Sequence, residues 1–128
     1  MKLIDTMVLV TSINPRDERH PKALNHLDAV TLDVETFVPA PVLIEFELEL
    51  MSHGFDEDQR RIILEDLITA VPKNKVLPQS VNAMLNALTL YQSGVTYFDS
   101  LIAGMAQESG ATVITTDKVV AKVVKTTW

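Results

Sequence analysis

Apolar and polar positions change period several times along the 128 residues, and each change marks an element. Lys2-Leu3-Ile4-Asp5 reads as a short buried strand, with Val8-Leu9-Val10 starting a helix or turn behind it. Pro21 suits the first turn of a helix running through Ala23, Leu24 and Leu27. Thr36-Phe37-Val38 is a second strand, closed by Pro39. Asp56 followed by Gln59 forms a capping-box pattern, with Phe55 as its staple, and opens a helix to about Val71. Lys75-Val76-Leu77 is a weak third strand. Ser80 to Ser93 is helical, with Val81, Leu85 and Leu88 on one stripe and Gly94 as the stop. Asp99 opens a further helix, with Ile102, Ala103 and Ala106 inward and an end near Gly110. Thr112-Val113-Ile114-Thr115 is the cleanest strand, and Lys118 to Val124 adds a last amphipathic turn or two.

One stretch reads two ways. Glu45, Glu47 and Glu49 alternate with Phe46, Leu48 and Leu50, which is strand periodicity. Pro41 and Gly54 stand at helix-start and helix-stop positions around the same residues, and their spacing decides for a helix. Glu45 and Glu49 then share a face and Glu47 points elsewhere.

Alternating strands and helices of this length make an α/β fold, a parallel sheet with helices on both faces, in a single domain spanning 1–128. Such sheets bind ligands in a crevice at the carboxyl ends of their strands. Asp5 ends the first strand, and Asp117 follows the last. Glu45 lies in the first turns of the helix leaving strand two. Asp99 starts the helix that returns to strand four. Topology therefore sends all four acids to one sheet edge.

Composition adjusts this picture. Apolar residues make 47% of the chain and charged residues 22%, an ordinary globular balance. No cysteine is present, which excludes thiol catalysis, disulfides and cysteine-ligated zinc. Neither a signal peptide nor a membrane span is read, so the expectation is a cytoplasmic protein with no membrane partner. The net charge of −6 counts against nucleic acid, but its distribution is uneven. Asp28 to Asp66 holds eleven acids against two bases, while the remainder has nine bases and six acids. Arg16-Arg19-Lys22 and Lys118-Lys122-Lys125 are clusters able to hold phosphates.

Each acid has an ordinary explanation as well. Asp99 and Asp117 could cap the helices after them, worth about 1 kcal/mol each. Asp5 resists that reading, because a carboxylate behind a central strand costs several kcal/mol unless it is paired or liganded. Gathered together, four carboxylates repel one another, and a divalent cation removes the difficulty. An oxygen-only site suits Mg²⁺ or Mn²⁺. His20, His26 and His53 lack ligand-like spacing and read as solvated. The serines show no nucleophile elbow, the glycines read as scattered stops, and Trp128 reads as a packing or dimer residue. A haloacid-dehalogenase-like phosphatase would need an acid where Met7 stands, and a response-regulator receiver would need paired acids that are absent.

The pattern Ile4-Asp5-Thr6, then Glu45 in an apolar helix, then Phe98-Asp99-Ser100-Leu101-Ile102-Ala103, then Thr115-Thr116-Asp117 resembles the PIN domain over essentially the whole chain. The resemblance implies a three-layer sandwich around a central parallel sheet of four or five strands. It implies a Mg²⁺- or Mn²⁺-dependent ribonuclease, similar to the VapC-like toxins of toxin–antitoxin pairs. Asp5, Glu45, Asp99 and Asp117 would be its metal-binding and catalytic quartet, and Thr6, Thr115 and Lys118 its substrate contacts. Single-stranded or structured RNA, an antitoxin protein and a second copy of the chain are the partners expected. Met7 stands where the family usually has Asn or Ser, and Val119-Val120 where many members carry a further acid. The other reading is a PIN-like module that binds RNA or protein and cleaves weakly.

Overall fold

A computed structural model describes residues 1–128. Five strands, β1 (Lys2–Ile4), β2 (Thr36–Pro39), β3 (Val76–Leu77), β4 (Thr112–Ile114) and β5 (Thr126–Thr127), form one sheet in the order β3-β2-β1-β4-β5. All four pairings are parallel. Six helices connect and cover them: α1 (Thr6–Ser12), α2 (His20–Leu32), α3 (Ala40–Ser52), α4 (Glu57–Ala70), α5 (Val81–Gln92) and α6 (Tyr97–Ser109). None is long and apolar enough to cross a membrane. The result is the three-layer α/β sandwich expected, with the topological switch between β1 and β4.

The core forms where the short strands are apolar on both faces, as strands covered from both sides must be. Leu3, Ile4, Val38, Val113 and Ile114 are buried, and Val8, Leu9, Val42, Phe46 and Ile102 close over them. The ambiguous segment is helical: Pro39 precedes α3 and Pro41 sits in its first turn, where a missing N–H costs nothing. Phe46 and Leu50 then point inward, and Glu47 turns away to pair with Arg60 at 2.8 Å. The capping box at Asp56 and Gln59 is complete, each side chain receiving the other residue's N–H.

Several expectations change. The stripe of Val81, Leu85 and Leu88, left without a direction by the sequence, is the outer face of α5; Val81 is 77% exposed. The buried face is Ala83, Ala87 and Leu90. Gly104 of α6 explains this, because a Cβ there would lie 2.5 Å from the Ala83 carbonyl oxygen and 2.9 Å from the Ala87 nitrogen. Backbones that close admit only small residues, which leaves the large side chains outside. Gly104 is thus a helix-contact glycine, whereas Gly54, Gly94 and Gly110 are stops with positive φ. Asp99 falls within the first turn of α6, whose N-cap is Thr96. The segment after Asp117 makes only a short 3₁₀ turn, Val120–Lys122, before β5, whose place the periodicity did not mark. His20 sets Nδ1 2.9 Å from the Thr11 carbonyl oxygen. His26 is half-buried against Trp128, ring centroids 5.1 Å apart, so of the three histidines only His53 is openly exposed.

Candidate active site

β1 and β4 run side by side and end at the same edge, bonded there by Asp5 N–H to the Ile114 carbonyl at 3.2 Å. The chain leaves β1 through Asp5, the N-cap of α1, and leaves β4 through Thr115-Thr116-Asp117. The first turns of α3 and α6 open toward the same place. Asp5, Glu45, Asp99 and Asp117 consequently line one cleft of about 240 Å³, together with Thr6, Met7, Val10 and Glu49. Residues 112 positions apart in sequence (Asp5 to Asp117) are neighbours here because parallel strands place their carboxyl ends together.

Each carboxylate is held by its own local partners. Asp5 is 6% exposed and accepts from Thr6 N–H at 2.7 Å and from the Thr115 hydroxyl at 2.6 Å. The Thr6 hydroxyl donates to Glu45, bridging α1 to α3. Asp99 accepts from the Thr96 hydroxyl at 2.5 Å. Asp117 caps the following turn through Val119 and Val120 N–H at 2.6 and 3.2 Å, and its own N–H donates to the Thr115 hydroxyl oxygen at 3.0 Å. The capping role expected of Asp117 is therefore real, that expected of Asp99 falls to Thr96, and Asp5 caps α1 although no cap was expected there; Asp5 and Asp117 combine the role with a place in the cleft.

Thr6 and Thr115 were expected to meet substrate. Both are buried, at 5% and 4% exposure, with their hydroxyls spent on Glu45 and Asp5. They orient those carboxylates. Lys118 is exposed and follows Asp117 in the chain. Two contributors escaped the sequence reading. Thr96 carries a readable signal, a Thr three residues ahead of an Asp at a helix start. Met7 carries none: its sulfur accepts from the Thr116 N–H and hydroxyl at 3.2 Å each, which ties α1 to the turn after β4.

The electrostatics of the cleft are unfavourable as it stands. Burial pushes Asp5 up from 3.8 to about 6; hydrogen bonds from Thr115 and Thr6 oppose the shift, and Asp99 and Asp117 add to it. Burial likewise raises Glu45 from 4.5 to about 6, against the Thr6 hydrogen bond and with the charges of Asp5, Asp99 and Glu49. Asp99 is raised mainly by burial, with Asp117 contributing. The five ion pairs of the chain involve none of the four acids. No three carboxylates converge tightly enough to chelate one ion with the side chains as they lie. Each of the four groups is turned to a neighbouring hydroxyl or N–H. A hard divalent cation fits this donor set: oxygen donors alone, excess negative charge and no basic side chain paired to any of them.

An acidic cleft at the β1/β4 switch of a five-stranded parallel sandwich defines the class: an α/β protein whose site belongs to the sheet's carboxyl edge. The sequence profile of the PIN domain matches residues 2–125, and the chain belongs to the PIN domain family. Solved structures of similar fold include FitAcB from Neisseria gonorrhoeae, 17% identical, with a TM-score of 0.75 over 98% of this chain and 96% of that one. VapBC2 from Rickettsia felis, solved bound to a DNA fragment from its promoter, is 19% identical, with a TM-score of 0.74 over 99% and 98%. The Sarcin-Ricin loop cleaving toxin VapC20 of Mycobacterium tuberculosis is 15% identical, with a TM-score of 0.69 over 95% and 94%. No curated protein matches the sequence significantly.

Proposed function

We propose that the protein is a divalent-metal-dependent endoribonuclease and the toxin of a toxin–antitoxin pair. The observation that carries this reading is the buried, uncompensated Asp5 sharing a cleft with Glu45, Asp99 and Asp117 in a PIN domain. Similarity of fold to VapBC, FitAcB and VapC20 supports the toxin and RNA parts of it. Asp5 and Asp99 would hold Mg²⁺ or Mn²⁺ directly, and Glu45 and Asp117 would complete the surroundings of the ion or ions. When bound, such a cation acidifies water and offsets charge building on a phosphoryl group. Thr115 fixes the orientation of Asp5, Thr6 that of Glu45, and Thr96 that of Asp99. Glu45 and Asp117 are the two carboxylates available to orient an attacking water. Lys118 and the basic clusters would hold the flanking RNA backbone in a cleft otherwise repellent to phosphate.

Two faces suit partners. The α3–α4 side exposes Ile44, Leu48, Met51, Ile62 and Ile68 around the charged groove of Glu47, Glu57, Arg60, Arg61 and Glu65, a surface for an antitoxin segment with apolar and charged groups. The α5 face exposes Val81, Leu85, Leu88 and Tyr91, and Val76 to Phe98 contains no charged residue. A second copy of a chain of charge −6 meets least repulsion there, so that face is assigned to a homodimer.

The test is Mn²⁺-dependent cleavage of a mixed RNA pool by wild type and Asp5→Asn. Cleavage by wild type alone is expected, and equal activity in both rejects the site. The spacing of the carboxylates and the sulfur of Met7 at a usually polar position favour a second reading, a binding module with weak cleavage. Retained RNA binding without any Mn²⁺ binding at millimolar concentration would establish that alternative.

A further inference from the structure

The loop between α1 and α2 crosses to the mouth of the cleft through a single side chain. Arg19 Nε and Nη2 form a two-point clasp on Asp17, at 3.0 and 2.8 Å. That clasp uses only one edge of the guanidinium. The other edge, Nη1 and the outer Nη2 proton, makes one long contact, Nη1 to the Thr116 hydroxyl at 3.4 Å. Thr116 precedes Asp117 and rests on the sulfur of Met7, which lines the cleft. Arg19 is therefore held by one edge, with its side chain 43% exposed, and offers the second edge at the rim. Two parallel N–H donors on a rigid fork match the oxygens of a phosphodiester. Asp17 is kept low, at about 2, chiefly by the Arg19 hydrogen bonds, so the clasp persists across the physiological pH range. Neither Arg16 nor Lys22 has a comparable tie to the cleft, although the sequence groups them with Arg19.

We propose that Arg19 is a substrate-positioning residue of the cleft, its free guanidinium edge gripping a backbone phosphate of single-stranded RNA next to the bond at the carboxylates. This rests on the ribonuclease reading and names the group that positions the strand. Asp17 holds the fork in place, so losing Arg19 removes one unit of positive charge together with two hydrogen-bond donors. Lysine at this position keeps the charge and loses the fork.

The test measures anisotropy of a fluorescent single-stranded RNA with the non-cleaving Asp5→Asn protein, alone and combined with Arg19→Gln or Arg19→Lys, over a range of salt. Thermal melts confirm that each variant is folded. Arg19→Gln is expected to weaken binding about tenfold and to lower the salt slope by about 0.7, the value for one phosphate contact on a single strand. Arg19→Lys should keep the slope and still lose several-fold in affinity. In the cleaving background, Arg19→Gln should raise KM with little change in kcat. Unchanged affinity and slope in Arg19→Gln, with the parent binding RNA, overturns the role of Arg19 and leaves the ribonuclease reading standing. Full affinity in Arg19→Lys overturns the two-point grip. A parent that binds no RNA, beside a wild type that cleaves none, overturns both.

Discussion

Replacing Asp5 by Asn should stabilise the metal-free protein while abolishing its response to metal. Asp5 is buried, and its pKa stands at about 6 against an ordinary 3.8. The folded state therefore holds the proton more tightly than the unfolded state does. The sign follows: below about pH 4 both states are protonated and the group is neutral in effect. Stability then falls as the pH rises from about 4 to 6, and above that the full penalty applies. Its size is about 3 kcal/mol. Asn removes the charge and keeps the shape. Its carbonyl can accept from Thr6 N–H, and its NH₂ can donate to the Thr115 oxygen. The Thr115 proton must then turn toward the Met7 sulfur, 3.5 Å away, which loses part of a charge-assisted hydrogen bond. A net gain of about 1–3 kcal/mol remains, or a Tm higher by roughly 3–10 °C at pH 7.5 in chelator. Mn²⁺ should offset most or all of that gain. Saturating metal at about a hundred times Kd adds about 2.7 kcal/mol to wild type and much less to the variant. Melts of both proteins from pH 4.5 to 7.5, with chelator and with Mn²⁺, test each part. An Asn variant less stable than wild type in chelator, or a wild type whose stability does not fall across that range, would refute the claim that Asp5 is an uncompensated buried charge.

Other changes probe the scaffold and the partner faces. Gly104→Ala should cost about 2–4 kcal/mol in urea unfolding, because the new methyl meets the Ala83 and Ala87 backbone with no flexible atom to yield. Asp56→Ala removes the side-chain half of the capping box of α4, the bond from Gln59 N–H, and should cost about 1 kcal/mol by the same measurement, with metal response unchanged. Leu85→Lys, at 58% exposure on the uncharged α5 face, should leave the unfolding free energy of the monomer within about 0.5 kcal/mol of wild type and turn a dimer into a monomer by light scattering. A monomeric wild type would remove the dimer assignment.

The chain by itself determined the order of strands and helices, the helical state of α3, and the arrival of four acids at one sheet edge. These follow from local signals: Pro41 and Gly54 bracket a helix, Asp56 and Gln59 cap one, and parallel connections force strand ends to one side. Asp5 could be singled out because a charge behind an apolar central strand conflicts with its neighbours. Tertiary structure decided what depends on the approach of backbones and on long-range contacts. The stripe of Val81, Leu85 and Leu88 is apolar whether it faces in or out; only the close crossing at Gly104 turns it outward. Thr6 and Thr115 are hydroxyls next to acids in any reading, and only the fold buries them on Glu45 and Asp5. The two-residue β5 has no periodicity to detect, being a strand only because β4 offers it an open edge. Local order is written in neighbouring residues, whereas burial and orientation are properties of distant segments meeting.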